Sequence, residues 1–458
     1  MKKIILFALI LLNVSRLSAQ ESMNIIMHSN WDNDDLPGHF YGTFNDVWGY
    51  VDGEGKEYAL LGRASYVHFF DVTDPNAPIL IDQIAGGSNT VWRDMKTFQN
   101  RAYGCSDSSG EGILIFDLSN LPDTVILSNQ VTDFFTSAHN IFIDETKGRL
   151  YAVGVNTGTD IVVLDIATNP DEPILLGSVQ LPEGGYIHDL YVRDNIVYAS
   201  HGNANQLIIW DFTDPADPQY IASFDSNGYN HSNWVSDDGK TMVFAEEVPT
   251  GLPMGIVDIT DMANDNIELY TYFKFPLLAP EHIGNTPHNP YILGNFVYTS
   301  YYEDGIQIFD ISDPANPTLA GYYDTYPSND DYNGYAGCWG AYPFLPSGNI
   351  LASDMDNGLF VLEFDQSVNI DQLPENISSF NVFPNPTDGI LKIELQSQTQ
   401  TSTRLSLVTL TGQLVAEKSI SFDGTYLDWL DISDLPSGMY FLSIDDDKHT
   451  GTKKIIKN

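Results

Sequence analysis

QIFDISDPANP, residues 307–317, decides the fold, because the chain keeps returning to it. Earlier copies read FFDVTDPNAP at 69–78, LIFDLSNLP at 114–122 and VVLDIATNPDEP at 162–173, then IIWDFTDPADP at 208–218 and GIVDITDM at 255–262. The aspartates after the apolar runs are Asp71, Asp117, Asp165, Asp211, Asp258 and Asp310, separated by 46, 48, 46, 47 and 52 residues. A weaker seventh copy, GLFVLEF at 358–364, puts Glu363 in that place, 53 residues on. A repeat of this length is that of a small sheet stacked around a closed array. The expected fold is all-β, with a seven-bladed β-propeller over residues 20–366.

Working outward from 307–317, the flanking residues complete one blade. TPHNPYILG (286–294) opens a strand, NFVYTSYY (295–302) alternates as a second, and EDG (303–305) turns into the third. Proline lacks a ladder donor, so DPANP links strands instead of lying inside one. PTLAGYYDT (317–325) supplies the fourth. The seventh copy has no such link or fourth strand after Phe364. SMNIIMHSNWD (22–32) resembles the orphaned fourth strands PILIDQIAG (78–86) and PQYIASFDS (218–226), and is expected to pair there and close the ring. Closure removes an exposed sheet edge.

The chain has 458 residues and a net charge of −42, from 20 basic and 62 acidic groups. Such a surface repels nucleic acid and anionic membranes, so neither is an expected partner. Many acids sit in the DPxxP links, where aspartate stabilises the turn itself. Residues 1–19 read as a secretory signal peptide: Lys2 and Lys3, an apolar run over 4–12, and Leu-Ser-Ala before Gln20. No later stretch is apolar for long enough to span a bilayer. The two cysteines, Cys105 and Cys338, fall in blades two and seven and are expected as buried thiols.

After a linker at 367–377, residues 378–458 leave the repeat. NVFPNPTDGILKIEL (381–395), LSLVTLTGQLVAEKSI (405–420), LDISDLPSGMYFLSI (430–444) and the basic tail GTKKIIKN (451–458) read as short strands of a small β-sandwich. This segment resembles the type A sorting domain of the type IX secretion system. The resemblance implies that the secretion machinery is a partner, that the domain is removed by cleavage, and that the protein is extracellular or on the outer-membrane surface. The repeat region also resembles a known family. LLGRASYVHFFDVTDPNAP (60–78), TVWRDMKTFQNRAYGCSDSSGEGILIFDLSNL (90–121), AHNIFIDETKGRLYAVG (138–154) and LPSGNILASDMDNGLFVLE (345–363) are similar to the choice-of-anchor B family of LVIVD-repeat surface proteins. That family implies no reaction, so a site must be argued from residues.

Aligning the first strands gives VWGY (47–50), WRDM (92–95), AHNI (138–141), IHDL (187–190), NHSN (230–233), PHNP (287–290) and CWGA (338–341). One register holds Trp48, Arg93 (with Asp94 beside it), His139, His188, His231, His288 and Trp339, expected around the channel mouth as the ligand-binding ring. Loops on the same face carry Asp107, His201, Glu246, Glu247, Glu303, Asp304, Asp354 and Asp356. Three readings stay open. The histidines could bind a divalent metal, with His139, His188, His231 and His288 as ligands. The ring could recognise an extracellular glycan or peptide, or it could only pack one blade on the next. Recognition is the expected function. The alternative is a metal-dependent hydrolase or lyase with Glu246 or Glu247 as general base. DMDNG (354–358) fails the calcium-loop spacing, and no GxSxG, HExxH, CxxC or phosphate-loop motif occurs.

Overall fold

The computed structural model describes residues 22–33, 38–86, 89–107, 110–182, 185–276, 284–327, 335–365, 373–374, 376–385, 387, 389–409, 414–436, 438–446 and 450–457. The expected signal peptide, most of the linker and residues 328–334 lie outside the described residues. The chain divides into two compact units, residues 1–364 and 365–458. Among the described residues the only helical turns are two three-residue 3-10 turns, Gly202–Ala204 and Met262–Asn264.

The first unit is a succession of antiparallel sheets in which consecutive strands lie side by side, with N-terminal strands added to the edges of the last two. The first sheet comprises Phe44–Val51, Glu57–Arg63, Tyr66–Asp71 and Ile79–Ala85. The sheet built around 307–317 comprises Pro290–Leu293, Phe296–Ser300, Ile306–Asp310 and Thr318–Tyr323, with Ser22–Met23 added at its edge. Burial falls from the inside outward: Glu57–Arg63 is buried throughout, whereas Ile79–Ala85 is mostly exposed. The first strand of each sheet packs on the first strand of the next, and Cys338–Tyr342 of the last packs on Phe44–Val51 of the first. The sheets therefore follow a closed cycle, consistent with a propeller-like fold.

Local chemistry explains the repeated phrase. Each aspartate ending a third strand accepts a hydrogen bond from the backbone N–H two residues on: Asp71 from Thr73, Asp117 from Ser119, Asp165 from Ala167, Asp211 from Thr213, Asp258 from Thr260 and Asp310 from Ser312. These turns stop the strand and start the link. Gly305 enters its strand with φ +71°, and a Cβ there would lie 2.1 Å from the Tyr323 carbonyl oxygen. Only glycine fits that approach.

The N-terminal strand Ile25–Trp31 pairs antiparallel with Gly358–Phe364, Ile25 opposite Phe364 and Trp31 opposite Leu359. It completes the sheet that the sequence left one strand short. Cys105 and Cys338 are both free and buried.

The second unit holds two sheets. Ile377–Phe383, Ile390–Ser397 and Thr425–Asp431 form one, and Leu414–Phe422, Thr401–Thr409, Gly438–Asp445 and Thr450–Lys457 form the other. Alternate residues of Thr401–Thr409 are buried, as period-two patterning requires. Leu391, Ile393 and Leu395 of the first sheet share a core cluster with Leu405, Leu407, Leu442 and Ile444 of the second.

Candidate functional site

Where the first strands begin, four histidines of successive sheets stand in contact. Ring centroids lie 4.2 Å apart for His139 and His188, 4.1 Å for His188 and His231, and 4.4 Å for His231 and His288; Trp339 continues the series 4.6 Å from His288. In the strands Ile187–Arg193, Asn230–Val235 and Cys338–Tyr342, the residue at the ring is the one skipped by the ladder: His188, His231 and Trp339. A bulge of this kind re-aims a side chain at a strand end.

The histidines are wired in one direction. His188 Nδ1 meets the carbonyl of His231 at 3.0 Å, His231 Nδ1 that of His288 at 3.0 Å, and His288 Nδ1 that of Trp339 at 2.5 Å. A carbonyl only accepts, so each Nδ1 carries the proton and donates. Burial, ahead of neighbouring histidines, holds His188 and His231 well below the usual imidazole range, and pushes His288 down to about 3. All three are therefore neutral, and each keeps a lone pair on Nε2. One nitrogen joins neighbouring sheets; the other remains for chemistry.

Above the histidines opens a cavity of about 670 Å³, lined also by Phe40, Tyr41, Trp92, Glu247, Tyr302, Glu303, Tyr326, Tyr335 and Trp339. Phe40 is 90% exposed and Tyr41 57% exposed, so aromatic faces extend to its rim. Glu247 accepts a hydrogen bond from the Tyr302 hydroxyl at 2.7 Å, and its other oxygen lies 3.6 Å from His231 Nε2. Burial raises the Glu247 carboxyl, and the Tyr302 bond pulls it back. Tyr302 itself holds a left-handed backbone, φ 43°, an uncommon conformation for an aromatic residue and a strain typical of ligand clamps.

Below the ring the channel narrows to spaces no larger than a water or two. Asp46, Arg93, Asp94 and Asn140 border the upper space, and Asp94, Lys96, Asp189 and Trp234 the lower. Burial raises Asp189 to about 7, with Asp94 adding to the rise. Trp234 stacks on Phe344 at 5.3 Å, meets Tyr291 edge-on and Tyr191 at a tilt, and closes the channel with aromatic rings.

Of the residues expected at the mouth, the structure brings His139, His188, His231, His288 and Trp339 together. It places three others elsewhere. Asp94 borders the narrow spaces below the ring. Trp48 lines a separate pocket at the other end of the channel, with Lys96 4.4 Å from its ring centre. The bulge in its strand falls between Phe44 and Val47 and shifts the register by one residue, and Asp46, not Trp48, borders the space beneath the histidines. Arg93 turns its guanidinium to Glu111 and to the carbonyls of Arg63 and Gly86, leaving Trp92 at the mouth. Among the expected carboxylates, Glu247 and Glu303 line the cavity and Asp107 meets His139 Nδ1 at 3.2 Å. Glu246 instead accepts from the N–H groups of Asn227 and Gly228, away from the cavity, and so does not stand as a base there. Asp304 accepts from Asn285, Asp354 accepts from Thr325, and His201 is buried. Asp356 is not among the cavity's lining residues. Trp92 and Tyr302 were missed, although each adjoins an expected residue, Arg93 and Glu303.

Residues 381–458 match the secretion system C-terminal sorting domain. The chain carries an export tail. That tail implies engagement with type IX secretion machinery and a secreted or cell-surface protein. Residues 291–325 match the LVIVD repeat, which covers the sheet around 307–317 and suggests a surface repeat protein. No curated protein matches the chain. Among solved structures, a functionally unknown protein from Desulfotomaculum acetoxidans DSM 771 aligns with a TM-score of 0.48 at 13% identity, over 62% of this chain and 87% of its own. A protein from Lactobacillus plantarum aligns with a TM-score of 0.46 at 15% identity, over 86% of this chain and 100% of its own. Neither likeness is close enough to carry an argument. No helix among the described residues is long and apolar enough to cross a membrane.

Proposed function

We propose that the chain is a seven-bladed β-propeller of the choice-of-anchor B kind, exported with a cleavable β-sandwich sorting domain, that recognises an extracellular ligand at its histidine-lined mouth. The observation that carries this reading is the cavity of about 670 Å³, in which aromatic faces and hydrogen-bond acceptors converge. Trp92, Trp339, Tyr326 and Tyr335 offer flat apolar surface. The Nε2 lone pairs and the Glu247 and Glu303 carboxylates offer acceptors. A ligand that suits both has hydroxyl donors on a ring with apolar faces, which describes a neutral glycan; the −42 charge disfavours an anionic one. The test is a glycan array with peptides as the comparison, followed by Trp92→Ala. Trp92 is 36% exposed, so its loss should leave the melting temperature unchanged while binding weakens roughly tenfold or more. Binding equal to wild type in the variant would remove the mouth as the site.

A further inference from the structure

We infer that His188, His231 and Glu247, with His139 closing the set, hold a divalent transition-metal ion whose open side faces the cavity. The inference rests on the mouth being a binding site and names what the floor of that site contributes. Side-chain donor atoms of His188, His231 and Glu247 all lie within 4.8 Å of one another. Neighbouring donors around a tetrahedral zinc stand about 3.3 Å apart, so side-chain adjustments of no more than about 1 Å would bring them to one ion.

The contact between His139 and His188 points the same way. Their Nε2 atoms lie 2.7 Å apart. His188 already donates through Nδ1 to a carbonyl, and His139 Nδ1 faces the Asp107 carboxylate, which also only accepts. Two neutral rings so wired would oppose lone pair to lone pair. A positive charge between them removes the conflict, and a metal ion does so with both nitrogens as ligands.

The other nitrogen of each ring is also engaged. Metal-bound histidines almost always donate their other N–H to a carboxylate or a backbone carbonyl, which fixes tautomer and ring orientation. Here all three do: His139 to Asp107, His188 to the His231 carbonyl, and His231 to the His288 carbonyl. Imidazole with one carboxylate favours zinc and its neighbours over calcium or magnesium. Four protein donors fill a tetrahedral set, so a ligand oxygen from the cavity above would join as a fifth donor.

The experiment uses the untagged full chain, stripped with a chelator, dialysed against Zn2+ and analysed for metal per chain. One equivalent is expected, held against excess Ca2+ and Mg2+. Glu247→Gln keeps the Tyr302 contact and His188→Gln keeps a donor near the His231 carbonyl; each should weaken retention at least tenfold. Asp107→Asn should weaken it by about tenfold. A metal-free wild type, displacement by Ca2+, or an equivalent that survives both ligand variants would overturn the inference. Glycan binding is read separately: loss of metal with retained glycan binding sinks the ion alone, while loss of glycan binding with full metal sinks the ligand reading.

Discussion

Asp189 sits in the channel with Asp94 and Lys96 beside it, and burial lifts its carboxyl from an ordinary 3.8 to about 7. The folded chain thus holds a proton that the unfolded chain releases near pH 4. Between about pH 4 and 7 the folded state binds more protons, so this residue lowers stability as pH rises through that window. Asp189→Asn should therefore stabilise the protein at pH 8, by at most about 4 kcal/mol, and flatten the fall from pH 5 to 8. The buried histidines act oppositely, losing stability as pH falls below their ordinary range, but they are common to both proteins. Melting curves of the pair at pH 5 and 8 decide it; parallel shifts would refute the buried-carboxylate account. At this scale the sequence was legible where repeats shared a register. His139, His188, His231 and His288 could be placed together because four strand starts carried the same residue. Trp48 and Arg93 could not be placed, because the strand of Trp48 bulges between Phe44 and Val47 while that of Arg93 pairs without a skip, and neither difference leaves a mark in composition. The direction of Nδ1 in each histidine was invisible for a similar reason, since it depends on the neighbouring sheet.

Strands carry a second regularity. In the pairing of third and fourth strands a residue is skipped at the same place in every sheet of the first unit, for example between Phe69 and Phe70, between Ile209 and Trp210, and between Ile308 and Phe309. The N-terminal strand shows the same skip, between Met27 and Ser29. Glycine repeats it too: a Cβ on Gly112 would strike the Val131 carbonyl, on Gly305 that of Tyr323, and on Gly358 that of Trp31. By both marks Ile25–Trp31 is a true fourth strand supplied from the far end of the chain. Its role was legible because its alternation matched 78–86 and 218–226; the bulge was not, since one extra residue resembles any other. Removing residues 22–31 should expose the edge Gly358–Phe364 and speed amide exchange there by orders of magnitude, with the chain tending to aggregate. Unchanged exchange in that strand would contradict the pairing. A smaller effect belongs to the turns: Asp310→Ala should cost about 1 kcal/mol in denaturant unfolding through the lost bond to Ser312.

The whole molecule contains two units, each with its own core clusters; the cluster around Leu391, Leu407 and Leu442 lies wholly within the second. Calorimetry should resolve two transitions, and ending the chain at residue 365 should remove one and leave the other in place. A single cooperative transition would argue against separate units. A charge of −42 repels itself, so raising salt to about 1 M, where the screening length is about 3 Å, should raise both melting temperatures by a few degrees. A downward shift would mean that specific ion pairs outweigh general repulsion.

The pairing of Ile25–Trp31 with Gly358–Phe364 makes this a two-piece object carried on one chain. Residues 44–364 form an array with one vacant slot, and a short segment from the other end fills it through backbone bonds that need no covalent link. A synthetic peptide of residues 22–33 should therefore dock into the shortened chain and restore the protected edge. The N-terminus acts as a key cut to the last sheet, and any foreign strand with the same alternation and the same skip would compete for the lock.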